Sequence, residues 1–228
     1  MKHNEFEKYA IKHIGIGSNN LHQYQSIMNS RLDASLTPYI LEEREMRVTQ
    51  MDIFSRLLRD RILWVSGAIH DGMSPIIQAQ LMFLDDTDKE KDIRMHLDTP
   101  GGGVYAGLSI IDVMDYISAD IITVNTGMCA SMGSVLLGAG KKGKRSALKN
   151  SRVMMHQSSG GASGNIQDAE IAMKEWKSIN ETLFEQLGRY CNKTAKIIKK
   201  DAERDKWLTA TEAVEYGIID NVVQSKKK

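Results

Sequence analysis

Cysteine is nearly absent: the 228 residues hold two, Cys129 and Cys191. So few cannot build a disulfide framework, and without a C-x-x-C pair they do not suggest a structural zinc site. A reducing, cytoplasmic setting fits this usage. An excess of either charge is lacking too, with 30 basic residues against 29 acidic and a net charge of +1. Such a balance gives no global field to attract nucleic acid and no net charge of the kind that keeps chains disordered. The lysines at 226–228 read as a solvated end. The first residues, MKHNEFEKYAIKHIG, intersperse charges throughout and lack the apolar segment of a secretory signal. One uncharged run, Ile121 to Gly140, has the length of a membrane span, but Thr123, Asn125, Thr126, Ser131, Ser134 and four glycines interrupt it. A buried strand, a tight turn and a small-residue helix account for it, and no membrane association is expected. No internal repeat is legible.

What the sequence does hold, from about Pro38 onward, is dense periodic patterning after a different N-terminal stretch. Residues 1–37 read as an appendage in which Phe6, Tyr9, Ala10 and Ile14 form one face of a short helix, broken by GIGSNN. Beyond it, Ile62–Val65 reads as a short buried strand. Ser74 and Pro75 open a helix, Ser in the N-cap place and Pro at the first helical position. Ile93–Leu97 is the next strand, followed by a helix with apolar residues at Val104, Leu108, Ile111, Met114 and Ile117. Ile121–Val124 is a third strand, leading through CASMGS into a helix over Val135–Ala139. After the basic segment KKGKR comes the strand Val153–Met155. A long helix then carries Ile166, Ala169, Ala172, Met173, Trp176, Ile179, Leu183 and Leu187 on one face. Thr209 and Glu212 have the spacing of a capping box, Gly217 closes that helix, and Ile218–Val223 is a last strand. Alternating strands and helices predict an α/β domain with a largely parallel sheet.

Three segments follow strand ends, where α/β sheets usually carry their ligands. Gly101-Gly102-Gly103 could present backbone N–H groups to a substrate, and could equally be a tight turn. Ser131, between Cys129-Ala130 and Met132-Gly133, sits at a strand-to-helix turn where backbone N–H groups could receive an oxyanion. A capping serine in a packed turn would look the same. The glycine two residues after Ser131 matches half of a nucleophile elbow, but Cys129 stands at the other glycine place. His156 ends the strand RVMM, and Asp205 lies among charged neighbours. Neither is decisive alone.

Taken together, from about Leu41 to Val223 the chain resembles the proteolytic subunits of the Clp protease family. The resemblance rests on MDIFSRLLRDRI, PGG, AGLSIIDVMDYI, CASMGS, AGKKGKRSALKNSRVMMHQ and ERDKWLTATEAVEYGIID, in order and in register. It implies a crotonase-like α/β fold of stacked βαβ units for a peptidase domain over 38–228, with a handle over about 157–190 and a propeptide at 1–37. It implies Ser131 as nucleophile, His156 as general base and Asp205 as orienting carboxylate, with the backbone N–H groups of Gly102 and Met132 as oxyanion donors. Neither metal nor organic cofactor is implied. It further implies a homo-oligomer of two stacked seven-membered rings, unfolded polypeptides as substrates and an AAA+ ATPase as feeding partner. Trp176 and its apolar neighbours would then belong to an interface between copies.

Some residues depart from the family pattern. Arg94 and His96 stand where a docking pocket for the ATPase commonly has aromatics, and Ser146 replaces an apolar residue. Asp98 stands at a usual asparagine, and Ser158 at a usual proline. Two polar groups on the docking face weaken the expected seat for an apolar loop, the more so if His96 is charged near neutral pH. They leave room for an alternative, a specialised subunit of a mixed ring with a mainly structural or regulatory role. An acyl-CoA enzyme of the same fold would have no use for the serine, histidine and aspartate set.

Overall fold

The computed structural model of the chain describes residue 12 and residues 39–44, 47–160 and 164–224. Apart from Lys12, the N-terminal appendage and its expected helix face lie outside the described residues. In chain order the elements are β1 (Tyr39–Arg44), β2 (Arg47–Asp52), α1 (Ile53–Arg59), β3 (Ile62–Ser66), α2 (Ser74–Thr87) and β4 (Ile93–Thr99). Next come α3 (Val104–Tyr116), β5 (Ile121–Ala130), α4 (Met132–Gly138), β6 (Arg145–Leu148) and β7 (Arg152–Met155). The chain continues with α5 (Ile166–Cys191), α6 (Ala195–Asp201), β8 (Lys206–Thr209), α7 (Ala210–Tyr216) and β9 (Asn221–Val223).

β1 and β2 pair as an antiparallel hairpin, which the hydrophobic pattern had not announced. Asp52 ends it and caps α1, its Oδ1 accepting from the Phe54 and Ser55 N–H groups at 3.0 Å. The main sheet runs β3-β4-β5-β6-β9, every neighbour parallel. This is the expected α/β arrangement of consecutive βαβ units. β4 shows the period-two logic of a sheet with one buried face: Ile93, Met95, Leu97 and Thr99 are buried, while Arg94, His96 and Asp98 face outward. Burying each such aliphatic side chain is worth roughly 1.5–3 kcal/mol, which fixes the register of the strand.

β5 is longer than its apolar start suggested, because it serves two partners in turn. Thr123–Asn125 pair with β6, and Met128–Ala130 pair with β7. A bulge separates the two halves, where the register against β4 shifts between Leu97 and Thr99. Asp98 Oδ1 accepts the Met128 N–H there at 3.0 Å. A Cβ on Gly127 would lie 2.5 Å from the same oxygen. Asp98 is therefore a bulge-filling acceptor, a task asparagine could also perform.

The helix after this bulge begins at Met132, directly behind Ser131, and not at Val135. Ser74 is also not the cap expected: Met73 holds that place, and the buried Ser74 hydroxyl donates instead to the Ala106 carbonyl on α3 at 2.7 Å. The basic segment KKGKR runs into β6, a strand hidden in the sequence by its charges. Lys144 is paired with Asp92 and Asp120, and Arg145, only 3 % exposed, is paired with Asp220 at 2.7 Å. The Thr209–Glu212 capping box and the αL glycine at 217 are both present at α7.

α5 is the long helix expected, capped by Asn165 and closed by Asn192 in the αL conformation. Its apolar face divides in two. Leu183, Phe184, Leu187 and Cys191 are buried, whereas Ile166 and Ile171 toward its start are 78 % and 69 % exposed. The N-terminal half thus stands away from the core of its own chain.

Candidate active site

Ser131 follows the last residue of β5 and precedes the first of α4, with φ 54° and ψ −124°. Few residues other than glycine adopt a positive φ, and such strain collects at functional sites. Its N–H donates to the Met154 carbonyl at 2.9 Å, and its carbonyl accepts from the Ser134 N–H and hydroxyl. With the backbone pinned on both sides, the side chain projects from the turn. The neighbours explain the small residues around it. Cys129 is fully buried in the core, burial pushing its thiol well above the usual range. A Cβ on Gly133 would lie 2.7 Å from Thr99 Cγ2. Met132 anchors the helix start against α3, its side chain filling the space over Gly107.

The glycine segment approaches this turn directly. A Cβ on Gly101 would fall 2.7 Å from Ser131 Cβ and 3.0 Å from the Met132 nitrogen. The Ile69 N–H donates to the Gly101 carbonyl, and the Gly103 N–H donates to the Ile69 carbonyl, both at 2.8 Å. These two bonds straddle Gly102, as in a parallel bridge, and turn its own N–H away from Ile69. Among the described residues neither the Gly102 N–H nor the Met132 N–H donates a hydrogen bond. Two free backbone donors thus belong to segments in contact beside the serine, the requirement of an oxyanion hole. Ile69, which holds the glycine loop open, was not singled out from sequence, since its contribution is made entirely by its backbone.

His156 and Asp205 meet through strand register. β7 and β8 are antiparallel with Met155 opposite Lys206, so the next pair outward is His156 and Asp205. The separation of His156 Nδ1 from Asp205 Oδ1 is 3.5 Å, with the carboxylate 62 % exposed. That is slightly beyond the about 2.6–3.2 Å reach of a working catalytic hydrogen bond, a looseness common before substrate binds. Among the described residues no hydrogen bond joins Ser131 Oγ to His156. The parallel pairing of Ala130 with Met154 nevertheless puts Ser131 and His156 at adjacent C-terminal strand ends. A cavity of about 710 Å³ opens beside the histidine, lined by His156, Gln157, Ser158, Trp176, Glu203 and Asp205 among others. Ser131 is not part of its lining.

All five residues expected from sequence, Ser131, His156, Asp205, Gly102 and Met132, therefore fall on four segments at strand ends: after β4, after β5, after β7 and before β8. An attacking hydroxyl, an imidazole to take its proton, a carboxylate behind the imidazole and two backbone donors are the parts of acyl transfer. No part of that chemistry calls for a metal or an organic group.

The comparison with known proteins points the same way. A family model described as Clp protease matches residues 43–226. The chain is 47% identical over 225 residues, 99% of its length, to the whole of an ATP-dependent Clp protease proteolytic subunit of Porphyromonas gingivalis. It is 47% identical over 222 residues to a protein of the same description from Bacteroides fragilis, covering 97% of this chain and 99% of that one. To a further protein so described, from Ligilactobacillus salivarius, it is 47% identical over 198 residues, 85% of this chain and 98% of that one.

Proposed function

The chain belongs to the Clp protease family and is a serine peptidase, and we propose that it cleaves unfolded polypeptides through a Ser131–His156–Asp205 acyl-enzyme mechanism. The observation that carries the mechanism is the positive-φ turn at Ser131, held against Met154 and flanked by the free N–H groups of Gly102 and Met132. His156 takes the hydroxyl proton as Ser131 Oγ attacks the peptide carbonyl. Asp205 keeps the imidazole in the right tautomer and stabilises its protonated form. The two amides receive the developing oxyanion. His156 then returns the proton to the leaving amine, and water hydrolyses the acyl-enzyme with His156 again as base.

The active particle in this proposal is a cytoplasmic assembly of two seven-membered rings enclosing a chamber, with residues 1–37 as a propeptide. The exposed apolar start of α5 supports such an assembly, since Ile166 and Ile171 need cover from another copy. Among the described residues no helix is long and apolar enough to cross a membrane. A fluorophosphonate probe applied to the purified oligomer tests the assignment. Covalent labelling that maps to Ser131 is the expected result, and labelling elsewhere or nowhere overturns it.

The outer face of β4 favours a second reading, in which the chain is a specialised subunit of a mixed ring. Arg94 is exposed beside His96, as the strand period predicted. His96 corrects one expectation: burial and the Arg94 charge lower its pKa, so the imidazole is neutral near pH 7. It stacks on Trp64 with ring centroids 4.9 Å apart. The obstacle to an apolar docking loop is then the Arg94 charge and the His96 hydrogen-bonding edge, whose desolvation opposes an anchor of that kind. An ordinary AAA+ Clp ATPase is expected to bind the homomeric particle weakly. Replacing both Arg94 and His96 by Tyr should tighten it at least about tenfold in a binding titration, as a few recovered apolar contacts would. Tight wild-type binding, unimproved in the double variant, would show that this face is not the seat.

A further inference from the structure

Asp205 is mostly exposed and sits 3.5 Å from His156, so it does not by itself hold the imidazole in place. The backbone on either side of His156 is held by hydrogen bonds. Before His156, Met155 is locked in the β7–β8 ladder. After it, the Gln157 N–H donates to the Ala202 carbonyl at 2.9 Å, and the chain then reaches α5 at Ser158. There the Ser158 N–H and hydroxyl both donate to Asn180 Oδ1, at 3.0 and 2.9 Å. The same hydroxyl accepts the Trp176 indole N–H at 2.7 Å. Trp176 and Asn180 are four residues apart and so share one helix face. The indole also packs on Gly160, where a Cβ would come within 3.1 Å of the ring. Trp176 lies on the N-terminal half of α5, which has no buried residue of its own, and Asn180 lies just past that half, ahead of the buried Leu183. Across the site, the Tyr105 hydroxyl donates to Glu175 on that same half, at 3.0 Å.

We infer that Ser158 is a positioning residue for peptide hydrolysis, clamping the backbone after His156 to Trp176 and Asn180 on α5. The inference rests on His156 acting as the base toward Ser131. General-base transfer needs the imidazole within hydrogen-bond reach of the attacking hydroxyl, and errors of an ångström are costly in rate. A serine at 158 supplies one backbone donor, one hydroxyl donor and one hydroxyl acceptor, all used. Alanine keeps only the first. Phenylalanine at 176 keeps an aromatic ring on the helix face and removes the donor to Ser158, together with the part of the indole nearest Gly160.

The test compares wild type, Ser158→Ala, Ser158→Thr and Trp176→Phe as assembled particles, by peptide hydrolysis and by the rate of fluorophosphonate labelling at Ser131. Ser158→Ala should lower kcat roughly tenfold with KM little changed, and slow labelling by the same factor. Trp176→Phe should move both in the same direction, and Ser158→Thr should recover most of the loss. The double variant should be little worse than Ser158→Ala alone, since the hydrogen bond that Trp176→Phe breaks is already lost in Ser158→Ala. A purely structural Ser158 would instead lower the yield or melting temperature of the particle, with kcat per labelled serine unchanged, and that result overturns the inference. Wild type labelled at Ser131 with Ser158→Ala equally fast also overturns it, leaving the triad standing. Wild type unlabelled at Ser131 removes both.

Discussion

Ser131→Ala should remove at least about 10³-fold of the turnover of a small fluorogenic peptide while the particle assembles as before, because triad members act as a unit. The substitution is structurally mild for identifiable reasons. Among the described residues Ser131 Oγ makes no hydrogen bond, so its removal leaves no buried group unpaired. Alanine at φ 54° has the same Cβ as serine, so the strain of the turn is unaltered. The bonds that pin the turn, from the Ser131 N–H to Met154 and from Ser134 to the Ser131 carbonyl, are backbone at residue 131 and survive. Near-normal hydrolysis by the alanine particle would sink the assignment of the nucleophile. The same variant decides the proposed fate of residues 1–37. By intact mass, wild type should lose a segment ending within 20–37 and Ser131→Ala should keep it. Equal retention or equal loss in both would exclude self-processing.

The sequence made the central frame legible because the frame is governed by burial. Ile93–Leu97 and the helix from Val104 announce themselves through apolar periodicity, and both stand where expected. Sequence signals of a local kind also held: Thr209 and Glu212 cap α7, and Gly217 ends it. What escaped was set by long-range partners. β6 begins at Arg145, a charge that is buried against distant partners, the Tyr190 carbonyl and above all Asp220, some 75 residues later. The length of β5 follows from a bulge filled by Asp98 and from a second partner, β7, neither visible in the strand itself. Ser74 looked like a cap because its type and place suit one, yet its hydroxyl found Ala106 on the next helix. The site shows the same division. Ser131, His156 and Asp205 could be proposed by residue type and family register, but by itself Asp205 read as one charge among charged neighbours, and the β7–β8 register is what sets it beside His156. Ser158 looked only like a departure from a pattern until its three bonds to α5 were seen.

The proposed oxyanion donors offer the other large effect, through glycine. Gly102 has φ 147°, and a Cβ added there would fall 2.1 Å from the Ile69 carbonyl oxygen. The Ile69 atoms that this Cβ meets are all backbone, so Gly102→Ala can be accommodated only by moving the loop away from Ile69. The bonds Ile69 makes to Gly101 and Gly103 would loosen together, and the Gly102 N–H would turn from its present direction. Loss of one such donor costs about 10²–10³-fold in kcat, because the charge it meets exists only in the transition state. Gly102→Ala should therefore lose roughly 10²-fold in kcat with a far smaller change in KM. Gly143 supplies the control. Its φ is 89°, so alanine is strained there as well, but nothing lies within 4 Å of the added Cβ. Gly143→Ala should lower the melting temperature by an amount in keeping with about 1–3 kcal/mol of backbone strain and leave kcat per active site intact. If Gly102→Ala behaves like Gly143→Ala, stability falling and kcat holding, then the oxyanion is met by other groups. If kcat collapses only at Gly102, strain alone is excluded as the cause, and the loop between β4 and α3 is kept free of side chains for the reaction it serves.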